Sequence, residues 1–124
     1  MDDIVFIYIT NPSREFAKDL ARHLVEERFA ACANIFPIES VYWWKGELID
    51  EGEYVVIAKT TAANFERTQA EVERIHPYTT PCITKIPVVP NGAYADWLRA
   101  EVSGQEPPGS VSGDAAPDEG IMEP

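Results

Sequence analysis

The sequence has no long apolar run: no stretch approaches the roughly 18–20 residues that a membrane-spanning helix needs, which excludes a helical span and removes the membrane as an expected partner. Cysteine is scarce. Cys32 and Cys82 are the only two, too few for a disulfide framework, and a reducing compartment keeps both as thiols. Positive charge is short as well, with 10 Lys+Arg against 21 Asp+Glu and a net charge of -11. Such a surface repels phosphate backbones, so nucleic acid is not an expected partner. A Gly-rich phosphate loop, a Ser/His/Asp or Cys/His signature and a spaced quartet of metal ligands are all missing, and no enzyme is expected. The start, Met1-Asp2-Asp3, lacks the basic region and cleavage site of a secretory signal, so the expected compartment is the cytoplasm.

What is present is one domain's worth of chain. The 124 residues are 45% hydrophobic and 25% charged, the balance of a soluble globular protein. Residues 103–124 differ: they hold five acids, four Pro, four Gly and three Ser, and neither a base nor an aromatic. Such a segment buries too little apolar surface to offset the entropy of ordering it. The expected division is a folded domain over residues 1–102 and an acidic, disordered tail over 103–124.

Along the folded part, Ile4 to Ile9 is apolar on both faces, as a central strand is. Asn11 or Ser13 can cap the helix that follows, with Pro12 suited to its start. On that helix Ala17, Leu20, Ala21 and Leu24 share one side and Glu15, Lys18, Asp19, Arg22 and Glu26 the other. Ala31–Trp44 and Glu47–Thr60 read as two strands joined by a tight turn at Lys45-Gly46, with a bulge or an edge at Pro37. Thr61 can cap a second helix carrying Phe65, Val72 and Ile75, which His76-Pro77 ends. Cys82–Val89 reads as the fourth strand, and Asn91 can cap a last helix with Tyr94, Trp97 and Leu98. The order β-α-β-β-α-β plus a terminal helix predicts an α+β, ferredoxin-like fold: an antiparallel sheet with two helices on one face.

The two middle strands are too long for a monomer of this size. At ~3.3 Å per residue their 14 residues reach ~46 Å, against about 5–6 residues for an ordinary strand. The tip carries Tyr42, Trp43 and Trp44, and alternate residues face opposite ways, so one Trp face is expected to stay wet. A closed homo-oligomer built by sheet pairing covers such a ribbon; the alternative is that Pro37 and Gly52 break it into short strands.

Several stretches together resemble the CutA family of divalent-cation tolerance proteins: Glu27–Ile35, Ser40–Glu47, Lys59-Thr60-Thr61, His76-Pro77-Tyr78 with Pro81, and Tyr94 with Trp97-Leu98. The resemblance covers roughly residues 4–101. It implies a ferredoxin-like homotrimer with long hairpins paired between subunits, a cytoplasmic location, no established enzymatic reaction, and a link to copper and other divalent metals. In copper-binding members the ligands include a thiol late in the first strand and a histidine doublet before Pro-Tyr. Here Ile9 and Ile75 stand at two of those positions and only His76 matches, while Thr79 and Cys82 stand where the family often has acids.

The candidate metal ligands are therefore His76 and Cys82, a soft imidazole–thiolate pair suited to copper or zinc, with further donors to come from a neighbouring subunit. His76, closing a helix, can equally be a capping residue. Cys32 is expected as a core thiol, His23 as a solvated side chain, and Glu47, Asp50, Glu51 and Glu53 as a solvated strand face. Lys59 either reaches a subunit cleft near Tyr78 or lies along the surface with its stem buried. The other reading of the same features is a non-catalytic signalling or scaffold trimer, similar to the PII proteins, binding a small ligand or a protein in its intersubunit clefts.

Overall fold

The computed structural model describes residues 3–104. The tail expected over 103–124 lies outside the described residues from 105 onward. The chain runs β1 (Ile4–Asn11), α1 (Arg14–Glu26), β2 (Cys32–Trp44), β3 (Glu47–Thr61), a 3-10 turn (Ala62–Asn64), α2 (Phe65–Ile75), β4 (Ile83–Val88) and α3 (Gly92–Ser103). The four strands form one antiparallel sheet in the order β2-β3-β1-β4.

The alternation along β1 divides the core into two. Val5, Ile7 and Ile9 point to one face, where they are buried with Val56 and Ala58 of β3, the apolar stripe Ala17, Leu20, Ala21 and Leu24 of α1, and Val72 of α2. Ile4 and Phe6 point to the other face and pack against Ala95 and Leu98 of α3. The two-residue period of the strands and the helical spacing on α1 thus bury complementary surfaces.

Local signals act largely where expected. The Ser13 side chain accepts a 3.0 Å bond from the Phe16 N–H and caps α1. Thr61 precedes the 3-10 turn rather than α2 and makes no side-chain cap, and Asn91 starts α3 without one either. Pro37 sits in unbroken register opposite Tyr54, so there is no bulge. β2 is an edge strand, and there the absent N–H costs no ladder bond. Gly52 does not break β3 either. α3 continues through Ser103 and closes on Gly104 in the left-handed region, so the boundary expected after Val102 falls within its last turn.

The ribbon is therefore continuous, 13 residues in β2 and 15 in β3. Beyond residue 37 its partner sheet ends: β3 pairs with β1 only from Tyr54, opposite Pro37, onward. The overhang carries Val41, Trp43 and Leu48 at 64%, 72% and 60% exposure, with Tyr42 and Trp44 less exposed.

Candidate functional site

The strand register gathers one set of side chains on the sheet face opposite α1 and α2. Tyr8 and Thr10 of β1 lie across from Ile57 and Val55; Ile38, Ser40, Tyr42 and Trp44 of β2 lie across from Glu53, Glu51, Ile49 and Glu47. α3 covers only the Ile4–Phe6 end of this face. The middle is covered by the segment between α2 and β4, which His76-Pro77 turns out of helical geometry: His76 is extended, with φ -77° and ψ 140°. Between that segment and the root of the ribbon lies a cleft of about 850 Å³, lined by Tyr8, Tyr42, Trp44, Glu53, Tyr78 and Cys82 among others.

Glu53 anchors the cleft wall. It is only 6% exposed, and its carboxylate accepts a 2.6 Å bond from the Tyr78 hydroxyl. One step toward the tip, the Tyr42 hydroxyl donates to Glu51 at 2.6 Å. Each phenol is held in its protonated form. Tyr42 is pushed up to about 12, first by its bond to Glu51, and Tyr78 is raised by burial and then by Glu53. Glu53 was expected on a solvated strand face. Its period-2 position beside Ile49 and Val55 was the signal available in the sequence, but burial needed Tyr78, which arrives from 25 residues away.

His76 sits behind Tyr78, and its bonding is complete. Nδ1 accepts from the Tyr78 N–H at 3.1 Å, while Nε2 lies 3.0 Å from the Thr10 carbonyl and 3.1 Å from Asn11 Oδ1. Asn11 is fully buried and its Nδ2 donates to the carbonyls of Ile9 and Tyr54 at 3.0 Å, which turns Oδ1 toward the ring. The network assigns a neutral imidazole with the hydrogen on Nε2. Burial lowers its pKa, opposed by the Thr10 bond and the Glu53 charge.

Cys82 is exposed, lines the cleft, and has its Sγ 3.5 Å from Thr84 Oγ1. His76 does not line the cleft. Neither of its ring nitrogens offers a free lone pair, so the pair does not fit a metal within one chain without rearrangement of the Tyr78 N–H bond. Among the described residues no three His, Cys, Asp or Glu side chains converge. The remaining candidates take other roles. His23 bridges to Glu71 of α2 at 2.5 Å, with its side chain still partly open to solvent. Cys32 is half-buried. The Lys59 ammonium lies 5.1 Å from the Phe6 ring and 5.7 Å from that of Tyr94, away from the cleft.

Comparison with known proteins places these features in a family. A family model of the CutA1 divalent ion tolerance protein matches residues 5–101. The divalent-cation tolerance protein CutA of Archaeoglobus fulgidus is 45% identical over 94 residues, 75% of this chain and 92% of that one. Its Thermus thermophilus counterpart is 44% identical over 101 residues, 80% and 96%. Among solved structures, the periplasmic divalent cation tolerance protein CutA from Archaeoglobus fulgidus superposes with a TM-score of 0.77 at 43% identity, covering 80% of this chain and 98% of that one. The divalent ion tolerance protein CutA1 from Ehrlichia chaffeensis does so with 0.78 at 35% identity, covering 82% and 97%.

Proposed function

The chain belongs to the CutA1 divalent ion tolerance protein family, and from that premise we propose that it works in divalent-cation tolerance as a non-catalytic homotrimer of ferredoxin-like subunits. The family match over residues 5–101 carries the functional reading. The strand order β2-β3-β1-β4, with α1 and α2 on one face, supports the ferredoxin-like arrangement. The overhanging ribbon supports assembly, because Trp43 at 72% exposure is a cost in water that a second subunit removes. A cytoplasmic setting, in which Cys32 and Cys82 stay reduced, agrees with this reading.

For the metal, Cys82 is the donor this chain presents to the cleft, and a thiolate favours Cu(I) or Zn(II) over Mg(II) or Ca(II). His76 joins as a second ligand only by releasing the Tyr78 N–H from Nδ1. Donors from a neighbouring subunit complete the set. Native mass spectrometry of the full chain, with and without Cu(I), Cu(II) and Zn(II), reads assembly and metal count together. The expected result is a trimer that takes up metal, with the metal lost in Cys82→Ser and reduced in His76→Ala. A trimer that takes up no metal in any form removes copper and zinc binding and leaves a signalling or scaffold trimer. A monomer removes the assembly.

A further inference from the structure

Glu53 and Lys59 are opposite charges on one strand, and neither meets a counter-charge within its own chain. Residues 53, 55, 57 and 59 of β3 share the sheet face opposite α1 and α2, because Val56 and Ala58 between them face the helices. Glu53 is buried. Among the described residues its carboxylate takes one hydrogen bond, from the Tyr78 hydroxyl, and no ion pair. No lysine, arginine or histidine lines the cleft that it borders. A carboxylate taken so far out of water is ordinarily matched by a cation. Lys59 is half-buried, and its ammonium lies over the Phe6 and Tyr94 rings with no carboxylate beside it. The four strands carry only one other base, Lys85, which points to the helix side over the Phe65 ring. Lys59 is therefore the one base that the sheet itself presents on the face of Glu53.

We propose that in the trimer Glu53 pairs with the partner subunit's Lys59, so that three such ion pairs close the three clefts. The proposal rests on the trimeric reading above and names the charge that completes each cleft. Six residues of strand, roughly 20 Å, keep Glu53 from the Lys59 of its own chain. A rotational trimer sets different parts of one face against each other at every contact, which brings together groups that are remote within a subunit. The flexible four-carbon stem of lysine lets its ammonium leave the rings of its own chain and reach across. Phe36 and Ile86 are exposed on the same face, and the same closure covers them. The pair uses neither Cys82 nor His76, so it does not depend on bound metal.

The test is a double-mutant cycle on assembly, with Glu53→Gln, Lys59→Met and the two combined, read by sedimentation equilibrium in graded denaturant with excess chelator present. Each single substitution leaves one charge unpaired in the interface and is expected to weaken the trimer at least about tenfold in its dissociation constant. The double variant is expected to be no weaker than the weaker single one. Should Glu53→Gln not fold, zero-length carbodiimide coupling of the wild type decides, on trimers assembled from equal amounts of unlabelled and 15N-labelled chain. A Lys59–Glu53 linked peptide that joins a labelled to an unlabelled chain supports the pair. Lys59 joined to other acids or to none overturns it. Effects that simply multiply in the double variant also overturn the pair and leave the trimer standing. A wild type that sediments as monomer overturns the trimer and the pair together.

Discussion

Asn11 and His76 show how a single buried amide settles the state of a ring 65 residues away. With both Asn11 amide hydrogens directed to backbone carbonyls, its oxygen faces Nε2, and the Tyr78 N–H occupies Nδ1. Protonating the ring puts a hydrogen on Nδ1 and breaks the Tyr78 bond. The folded pKa is therefore depressed, with burial as the main cause. The unfolded chain takes up this proton first, near the ordinary value of ~6.5. The stability due to neutral His76 is complete above that value and declines as pH falls from it toward the folded pKa. Unfolding midpoints measured between pH 7.5 and 5 (roughly the span around that value) are expected to fall with acidification in the wild type. In His76→Gln they are expected to be lower at neutral pH but flatter with pH. An equal slope in both proteins places the titrating group elsewhere.

The ribbon depends on its turn at the scale of the element. Lys45 and Gly46 have φ of 52° and 82°, the pair of positive values that a two-residue type I′ turn requires. Glycine adopts that geometry freely, and nothing lies within 4 Å of a Cβ built on Gly46, so the cost of a side chain there is conformational alone. Gly46→Ala is expected to destabilise by about 1 kcal/mol. Lys45→Asn is expected to stabilise, since asparagine tolerates the left-handed region better than lysine. Denaturant unfolding at one fixed protein concentration measures both. At the other end of the fold, Ser13→Ala removes the 3.0 Å cap on α1 and is expected to cost about 1 kcal/mol. Loss of less than about 0.3 kcal/mol would mean that solvent replaces the cap.

Over the whole molecule, the two ends of the ribbon live in different surroundings. Its root is buried between β1 and the helices; its outer part projects beyond the sheet with Val41, Trp43 and Leu48 exposed. The sheet edges are interrupted by Pro37 in β2 and Pro87 in β4, which limits open-ended strand pairing. On β2 this leaves the outer stretch from Ile38 to Trp44 as the free edge. A closed trimer joined through that stretch is expected to sediment at about three times 13.8 kDa. Trp43→Glu, which changes no contact in the core, is expected to shift the population toward monomer. A wild type that sediments as monomer at micromolar concentration rejects this assembly.

Much of this could be read in the sequence because it rests on local periodicity. The alternation through Ile4–Ile9, the stripe on α1, the Lys45-Gly46 turn and the stop at His76-Pro77 each express a backbone preference carried by neighbouring residues, and the elements formed within a residue or two of their expected places except at the start of α2, which begins at Phe65 after a 3-10 turn rather than directly after Thr61. The family resemblance was legible for the same reason, as ordered local motifs. What the sequence could not determine is which side chains meet across distant elements. Burial of Glu53 depends on Tyr78, and the tautomer of His76 on Asn11 and Thr10; His23 faces Glu71 because α1 and α2 pack side by side. The separation of His76 from the Cys82 cleft depends on how the α2–β4 segment folds over the sheet. Those outcomes are set by the register of β1 against β3 and by the helix packing, since a hydrogen bond or a buried charge is decided by its partner's position in space rather than by its distance along the chain.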